Sequence, residues 1–181
     1  MLTIQPEPDG IVRRVPMVVE YKGEYYESLS LAMVRGLLGF PKIVPGFPED
    51  RFSGKAYNLM EWLDLVKDDA IVRRIPVDEN VAALVPFRGR EGSFHYYSIA
   101  DVLADRINPE LLKDRIVLVG TTAPGLKDQR ATPVGEAYSG VEIHANLISG
   151  MLDGRIKLKP PYSLGADVIL LLLAGIVMVI L

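Results

Sequence analysis

The chain has 181 residues, with 20 Lys and Arg against 23 Asp and Glu, a formal net charge of −3 and no cysteine. This length predicts one domain with room for a buried core. The slightly acidic balance argues against a nucleic-acid binder. The lack of cysteine excludes disulfide scaffolds, thiolate zinc sites and cysteine nucleophiles.

The first forty residues predict a strand pair followed by a helix. A β-type stretch covers Val12–Tyr21, and Pro16, which has no amide hydrogen, is typical of a sheet edge. A tight turn at Lys22 leads back into a second short strand. Ser28 is a suitable cap for a helix whose apolar stripe ends before Gly39.

The middle of the chain predicts the fold class. Strands are expected at Ile71–Val77 and Val81–Phe87, and short helices after Ser98 and at Pro109. The apolar run Arg115–Thr121 is typical of a strand covered on both faces. We therefore predict an α/β fold, with a mixed, largely parallel sheet and flanking helices.

The polar segment from Thr121 to Gly140 is a candidate binding loop, since it follows the predicted buried strand. It begins like a phosphate-binding P-loop, but Lys127 is one residue late and no Ser or Thr follows it. Pro124 also removes an amide from the phosphate cradle. We expect no nucleotide and no other cofactor here.

The segment Val141–Asp153 predicts the last helix of the globular part. Its polar side carries Glu142 and Asn146, whereas His144 falls in the apolar arc. A histidine in such a position needs a partner, and we expect its ring to bond the preceding loop, at a backbone group, Asp128 or Thr132. Glu142 and His144 point in opposite directions, so we expect no metal site. The candidate residues for ligand contact or loop–helix coupling are Thr121, Asp128, Thr132, Glu142, His144 and Asn146.

The chain ends in an apolar stretch, Leu164–Leu181, whose one charged residue is Asp167. Residues 168–181 carry no polar side chain, which is typical of a membrane-spanning helix. About 14 residues rise only about 21 Å, whereas a bilayer core needs about 30 Å. We therefore predict a globular part at residues 1–161 and the truncated start of a transmembrane helix, in contact with lipid, at residues 162–181. The first ten residues lack an export signal, so any such signal is expected upstream.

Several motifs occur together in a recognisable order: DGIVRRVP from Asp9, YSIADVL from Tyr97, RIVLVG from Arg115 and GVEIHAN from Gly140. The chain resembles the CHASE domain of the second type, a cyclase/histidine-kinase-associated sensing extracellular domain. The resemblance implies an extracytoplasmic input module of a bacterial inner-membrane receptor, with cyclase or kinase output domains after the membrane helices. It also implies that this chain is the C-terminal portion of the domain, so that the sheet is incomplete at its N-terminus.

Three functions are compatible with these features. A sensor would use an unknown ligand or protein partner to shift the helix Val141–Asp153, and through it the membrane segment. A dimerisation module would act without a ligand, and we expect a homodimer in the full-length receptor. An extracytoplasmic enzyme using Asp128, Glu142 or His144 is the least favoured, because no nucleophile motif accompanies these residues.

Overall fold

The computed structural model describes residues 6–48, 60–121, 128–158 and 163–180. These residues form nine strands, four α-helices and one 3₁₀ turn, in a mixed α/β arrangement. In chain order they are β1 (Arg14–Pro16), β2 (Val18–Tyr21), β3 (Glu24–Glu27), α1 (Leu29–Leu37), β4 (Lys42–Gly46), β5 (Trp62–Lys67), β6 (Ala70–Pro76), β7 (Ala82–Leu84), α2 (Ile99–Leu103), the 3₁₀ turn Pro109–Leu111, β8 (Gln129–Thr132), β9 (Gly135–Ser139), α3 (Gly140–Asp153) and α4 (Ser163–Ile180).

The α/β class predicted from the sequence is confirmed, but the expectation of a largely parallel sheet is wrong. The strands form four small antiparallel sheets, β1–β7, β2–β3, β4–β5–β6 and β8–β9. In the described part of the chain, the one parallel contact is an isolated bridge between Ile11 and Ala131. Very short turns join β2 to β3, β5 to β6 and β8 to β9, and such turns produce antiparallel neighbours, because a parallel pair needs a long crossover.

Local sequence signals correctly located the first elements. The Ser28 hydroxyl accepts a hydrogen bond from the Leu31 amide and caps α1, as predicted. Lys22 and Gly23 both have positive φ, 55° and 82°, which gives the tight turn between β2 and β3 the twist that a hairpin requires. Pro16 lies at the end of β1, opposite Ala82.

The core lies between α1, α3 and the strands around them. α1 packs against α3, and their facing side chains Leu31, Val34, Ile143 and Leu147 are fully buried. β5, β6 and β7 add further apolar side chains to the same cluster. α3 is therefore central to the globular part, so a change in its position must be felt by most of the core.

The predicted buried strand at Arg115–Thr121 is wrong. These residues form no strand, and Ile116, Val117 and Val119 are 42%, 52% and 80% exposed. The helix after Ser98 is present as α2. We expected its apolar residues Ile99 and Leu103 to be buried, but both are exposed. The long loop expected from Thr121 to Gly140 instead contains the hairpin β8–β9.

α4 is apolar around its whole circumference. Its large apolar side chains, where the structure describes them, are each at least 50% exposed: Val168, Ile169, Leu170, Leu171, Leu172, Leu173, Ile176, Val177 and Met178. Among the described residues, no helix is both long and apolar enough to cross a membrane. The transmembrane helix expected at residues 162–181 is therefore not found in the described part of the chain.

Candidate functional site

Both ends of α3 are defined by backbone hydrogen bonds. At its start, the Gly140 amide donates to the Asp128 carbonyl at 2.9 Å, and a Cβ on Gly140 would lie 2.5 Å from the Asp128 carboxylate. At its end, Gly154 adopts a left-handed conformation with φ 66°, and the Arg155 amide donates to the Gly150 carbonyl at 2.8 Å. The start of the helix is thus attached to the residue before β8, and its end is closed by a glycine C-cap.

The first half of the polar side of α3 is as deeply buried as the apolar side, whereas Asp153 at its end is exposed. Glu142 and Asn146 are only 2% and 1% exposed, although the sequence pattern placed them on the polar side. They pack against the segment 86–96, which follows β7. A polar helix face can be buried in this way only if its groups find hydrogen-bond partners.

Glu142 is held by three donors of that segment. Its carboxylate accepts hydrogen bonds from the Gly92 amide at 3.0 Å, the Tyr96 hydroxyl at 2.7 Å and, at 3.4 Å, the Phe94 amide. All three donors are neutral, so the carboxylate is stabilised by oriented dipoles and not by a countercharge.

Asn146 uses both ends of its amide group. Its Oδ1 accepts from the Arg88 backbone amide at 2.9 Å, and its Nδ2 donates to the Tyr138 hydroxyl at 3.0 Å and to the Glu142 carbonyl at 2.8 Å. We call Glu142, Asn146, Tyr96 and Tyr138 the Glu142 cluster. It connects α3 to the segment 86–96 through partly buried hydrogen bonds and to β9 through a buried one, so these three elements must move together or break those bonds.

The two tyrosines of the Glu142 cluster are held in their neutral form. Tyr96 is 45% exposed, and its partial burial, followed by the hydrogen bond to Glu142, raises its pKa above the usual value. Burial also raises the pKa of Tyr138, whose ring is fully buried and packs edge-on against Phe87. Both hydroxyls therefore remain hydrogen-bonding groups at neutral pH.

His144 lies on the other side of α3 and bonds α1. Its Nδ1 is 2.7 Å from the Ser30 hydroxyl, a partner that the sequence did not indicate because α1 lies far away in the chain yet packs directly on α3. No bond from His144 to the described part of the expected loop, residues 121 and 128–140, is found, and residues 122–127 lie outside the described residues. Burial lowers the pKa of His144, and the charge of Asp128 opposes that shift.

The remaining candidates lie apart from the Glu142 cluster. Thr132 is buried in β8 and donates from its hydroxyl to the Gly135 carbonyl at 3.0 Å, closing the hairpin turn. Asp128 lies beside the start of α3, and Thr121 is exposed at the end of the segment 115–121. Of the six candidates, the structure brings together Glu142 and Asn146.

Sequence reasoning missed the partners of these residues. Tyr96, Tyr138 and the backbone of residues 88–94 hold the Glu142 cluster, and Ser30 holds His144. These partners are separated in sequence by 8 to 114 positions. The sequence places the carboxylate of Glu142 on the polar side of a helix, but no nearby residue indicates which segment covers that side.

The side chains around α3 are arranged to hold segments of the fold together and not to catalyse a reaction. Ser30 and His144 are close enough for a nucleophile and base, but Ser30 is 0% exposed, and a nucleophile must reach its substrate. Within the described ranges, no group of three His, Cys, Asp or Glu side chains could hold a metal ion. The chemistry that the site offers is hydrogen bonding between three elements of the fold.

Comparison with known proteins supplies the family. The CHASE2 domain family matches residues 1–180, almost the whole chain. The chain belongs to the CHASE2 domain family. No curated protein and no solved structure matches it. CHASE2 is an extracellular sensory domain without catalytic activity of its own, which agrees with the connecting role of the Glu142 cluster.

We expect His144→Ala to lower the free energy of unfolding of the CHASE2 domain by about 1–2 kcal/mol. The substitution removes the bond to Ser30 and leaves a fully buried hydroxyl without its ring partner. His144→Asn should cost less, because its amide can bond that hydroxyl. Equilibrium unfolding in urea measures both, and equal stability of the wild type and the alanine variant would show that the contact contributes nothing.

The lowered pKa of His144 also makes stability depend on pH. Because the unfolded chain binds the proton more tightly, stability is fully present above the unfolded value of 6.5 and falls as the pH drops through it. The loss levels off below the pKa of the folded form. His144→Asn should remove this dependence and His95→Asn should keep it, and urea midpoints between about pH 8 and 5 test both. Identical pH profiles for the two variants would contradict the assignment.

Proposed function

We propose that the chain is the extracytoplasmic sensory input of a bacterial inner-membrane receptor, which relays an external signal to a cyclase or kinase output domain. The observation that carries this proposal is the position of α3. Its polar face is bonded to the segment 86–96 through the Glu142 cluster, and residues 154–162 alone separate its end from α4. A ligand or protein that displaces the segment 86–96 therefore acts on α3 directly.

α4 is the proposed link to the lipid bilayer. Its exposed apolar side chains would be costly in water, at about 25 cal/mol for each Å² of apolar surface, and they have no polar face to turn outward. Contact with acyl chains removes that cost. Flotation with phosphatidylcholine vesicles tests the contact, and recovery of the protein away from the vesicles would overturn it.

The location of the domain can be tested in cells, because the chain has no cysteine. Lys113 is exposed, so Lys113→Cys introduces a single accessible thiol. We use cells whose outer membrane is permeabilised and whose inner membrane is intact. A membrane-impermeant maleimide should label the thiol in these cells as strongly as it does after lysis. Labelling after lysis alone would place the domain on the cytoplasmic side and refute the proposal.

The relay can be tested separately in a full-length receptor with its output domain. Glu142→Gln weakens the attachment of the segment 86–96 to α3 and should change the basal output of the cyclase or kinase. Glu136→Gln, at an exposed position of β9, is the matched control and should leave the output unchanged. Unchanged output in the Glu142 variant would show that the attachment is structural.

A second candidate function is ligand-independent dimerisation. The hairpin β2–β3 exposes Tyr21, Tyr25 and Tyr26 at 60%, 73% and 50%, and large exposed aromatic side chains are typical of protein interfaces. A second copy of the chain is the proposed partner. Tyr25→Ser with Tyr26→Ser should convert a dimer to a monomer in light scattering of the detergent-solubilised chain. A monomeric wild type would exclude this function.

A further inference from the structure

A cleft of about 910 Å³ lies between the segment 84–88 and the end of α3 with the residues that follow it. Pro86 and Gly150 both line the cleft and are in close contact, since a Cβ on Gly150 would lie 2.2 Å from Cγ of Pro86. The lining includes the apolar side chains of Leu84, Phe87 and Ile156. These side chains can bury the apolar part of a ligand.

The lining of the cleft also carries three cations. They are Arg88, Arg155 and Lys157. Arg73 of β6 lies next to the same rim, because a Cβ on Gly154 would be 3.3 Å from Nη1 of Arg73. The buried Nε of Arg73 has no hydrogen-bond partner among the described residues. Guanidinium groups bind phosphate and carboxylate through paired N–H donors.

One carboxylate holds two of these cations in place. Oδ2 of Asp153 accepts from Nη2 of Arg88 at 3.0 Å, from Nη2 of Arg155, and from the Ser149 hydroxyl at 3.2 Å. Arg88 also lies over the Phe94 ring, 5.3 Å from its centroid. The hydrogen bond from Arg155 lowers the pKa of Asp153, so this carboxylate stays charged at neutral pH.

The charges do not cancel. Against the single negative charge of Asp153, the lining residues Arg88, Arg155 and Lys157 leave a net charge of about +2, and Arg73 adds one more positive charge at the rim; this excess attracts a phosphate monoester, which carries about −1.5 to −2 at neutral pH. Each arginine keeps further N–H donors beyond those that Asp153 uses. An anion can therefore bind without displacing Asp153.

We infer that this cleft is a binding site for a phosphate group attached to an apolar moiety. The phosphate lies against Arg88, Arg155 and Lys157, and the apolar moiety against Leu84, Phe87 and Ile156. Two sources carry this chemistry, a soluble organic phosphate and a phospholipid headgroup. The second is within reach because the cleft lies on the residues that lead to α4. The site does not depend on the sensory role.

The soluble source is tested by titrating the full chain, in a non-ionic detergent, with phenyl phosphate. We expect saturable binding that is at least about 10-fold tighter than that of inorganic phosphate, because the ring adds apolar contact. Phenol, which lacks the anion, should not bind. Arg155→Gln combined with Lys157→Gln should weaken binding at least about 10-fold, and Arg155→Lys should weaken it less, since it keeps the charge and loses the paired donors.

The control removes the same charge elsewhere. Arg106→Gln with Lys113→Gln changes two exposed cations away from the cleft and should leave phenyl phosphate binding unchanged. If phenyl phosphate does not saturate, or if both double variants bind it alike, the inference is wrong. All substituted side chains are largely exposed, and thermal melting confirms that the variants fold.

The lipid source is tested by repeating the titration in nanodiscs. If a headgroup occupies the cleft, phosphatidic acid in the disc should weaken phenyl phosphate binding at least about 10-fold relative to phosphatidylcholine alone. The effect should disappear in the Arg155 and Lys157 double variant. Equal binding in both discs assigns the cleft to a soluble organic phosphate. Both interpretations require that the wild type binds phenyl phosphate saturably. If it does so in neither kind of nanodisc, the proposed site is wrong.

Discussion

Replacing Glu142 with alanine is expected to lower the free energy of unfolding by about 3–4 kcal/mol. The side chain is 2% exposed, and its carboxylate is the acceptor for the Gly92 amide, the Tyr96 hydroxyl and the more distant Phe94 amide. Truncation leaves these donors without their acceptor and opens a cavity beside Asn146. Hydrogen bonds to a charged group are stronger than those between neutral groups, so their loss is costly.

Urea unfolding followed by fluorescence of Trp62, the single tryptophan, measures the change in the detergent-solubilised chain. Glu142→Gln should cost about half as much, because it keeps one acceptor oxygen but places an amide group opposite the remaining donors. Glu110→Ala, at an exposed position with a partner in Lys113, should cost less than about 0.5 kcal/mol. If Glu142→Ala is no more costly than Glu110→Ala, the Glu142 cluster does not hold the segment 86–96 to α3.

The features that could be predicted from the sequence are those with local causes. Ser28 caps α1 because its hydroxyl reaches an amide three residues ahead, and the turn at Lys22 depends on two adjacent residues. The extent of α3 follows from its own periodicity and from Gly154, which can adopt the left-handed conformation that ends a helix. In each case the residues that specify the feature lie within a few positions of it in the sequence.

The features that could not be predicted depend on partners remote in sequence. The apolar run Arg115–Thr121 has the composition of a buried strand, but burial requires neighbouring strands, and the structure pairs these residues with none that it describes. The polar side of α3 was correctly located, yet its burial depends on donors in the segment 86–96. Periodicity shows which side chains share a face and does not show what covers that face.

Gly150→Ala is expected to destabilise the domain by about 2–3 kcal/mol, although alanine favours helices by about 1 kcal/mol over glycine. The added Cβ would lie 2.2 Å from Cγ of Pro86 and 3.2 Å from its Cδ, far inside normal contact distance. The proline ring is rigid and cannot rotate away. α3 and the segment 84–88 must therefore separate, which loosens the Asn146 bond to the Arg88 amide.

Gly165→Ala is the matched control, because it makes the same change in a helix where no atom lies within 4 Å of the added carbon. It should leave the free energy of unfolding of the globular part unchanged within about 0.5 kcal/mol. The separation at Gly150 also displaces Arg88 from Asp153, so the same variant should weaken phenyl phosphate binding. A Gly150→Ala chain as stable as the wild type would mean that Gly150 and Pro86 are not in close contact. The attachment of the segment 84–88 to α3 would then rest on the bond from the Arg88 amide to Asn146.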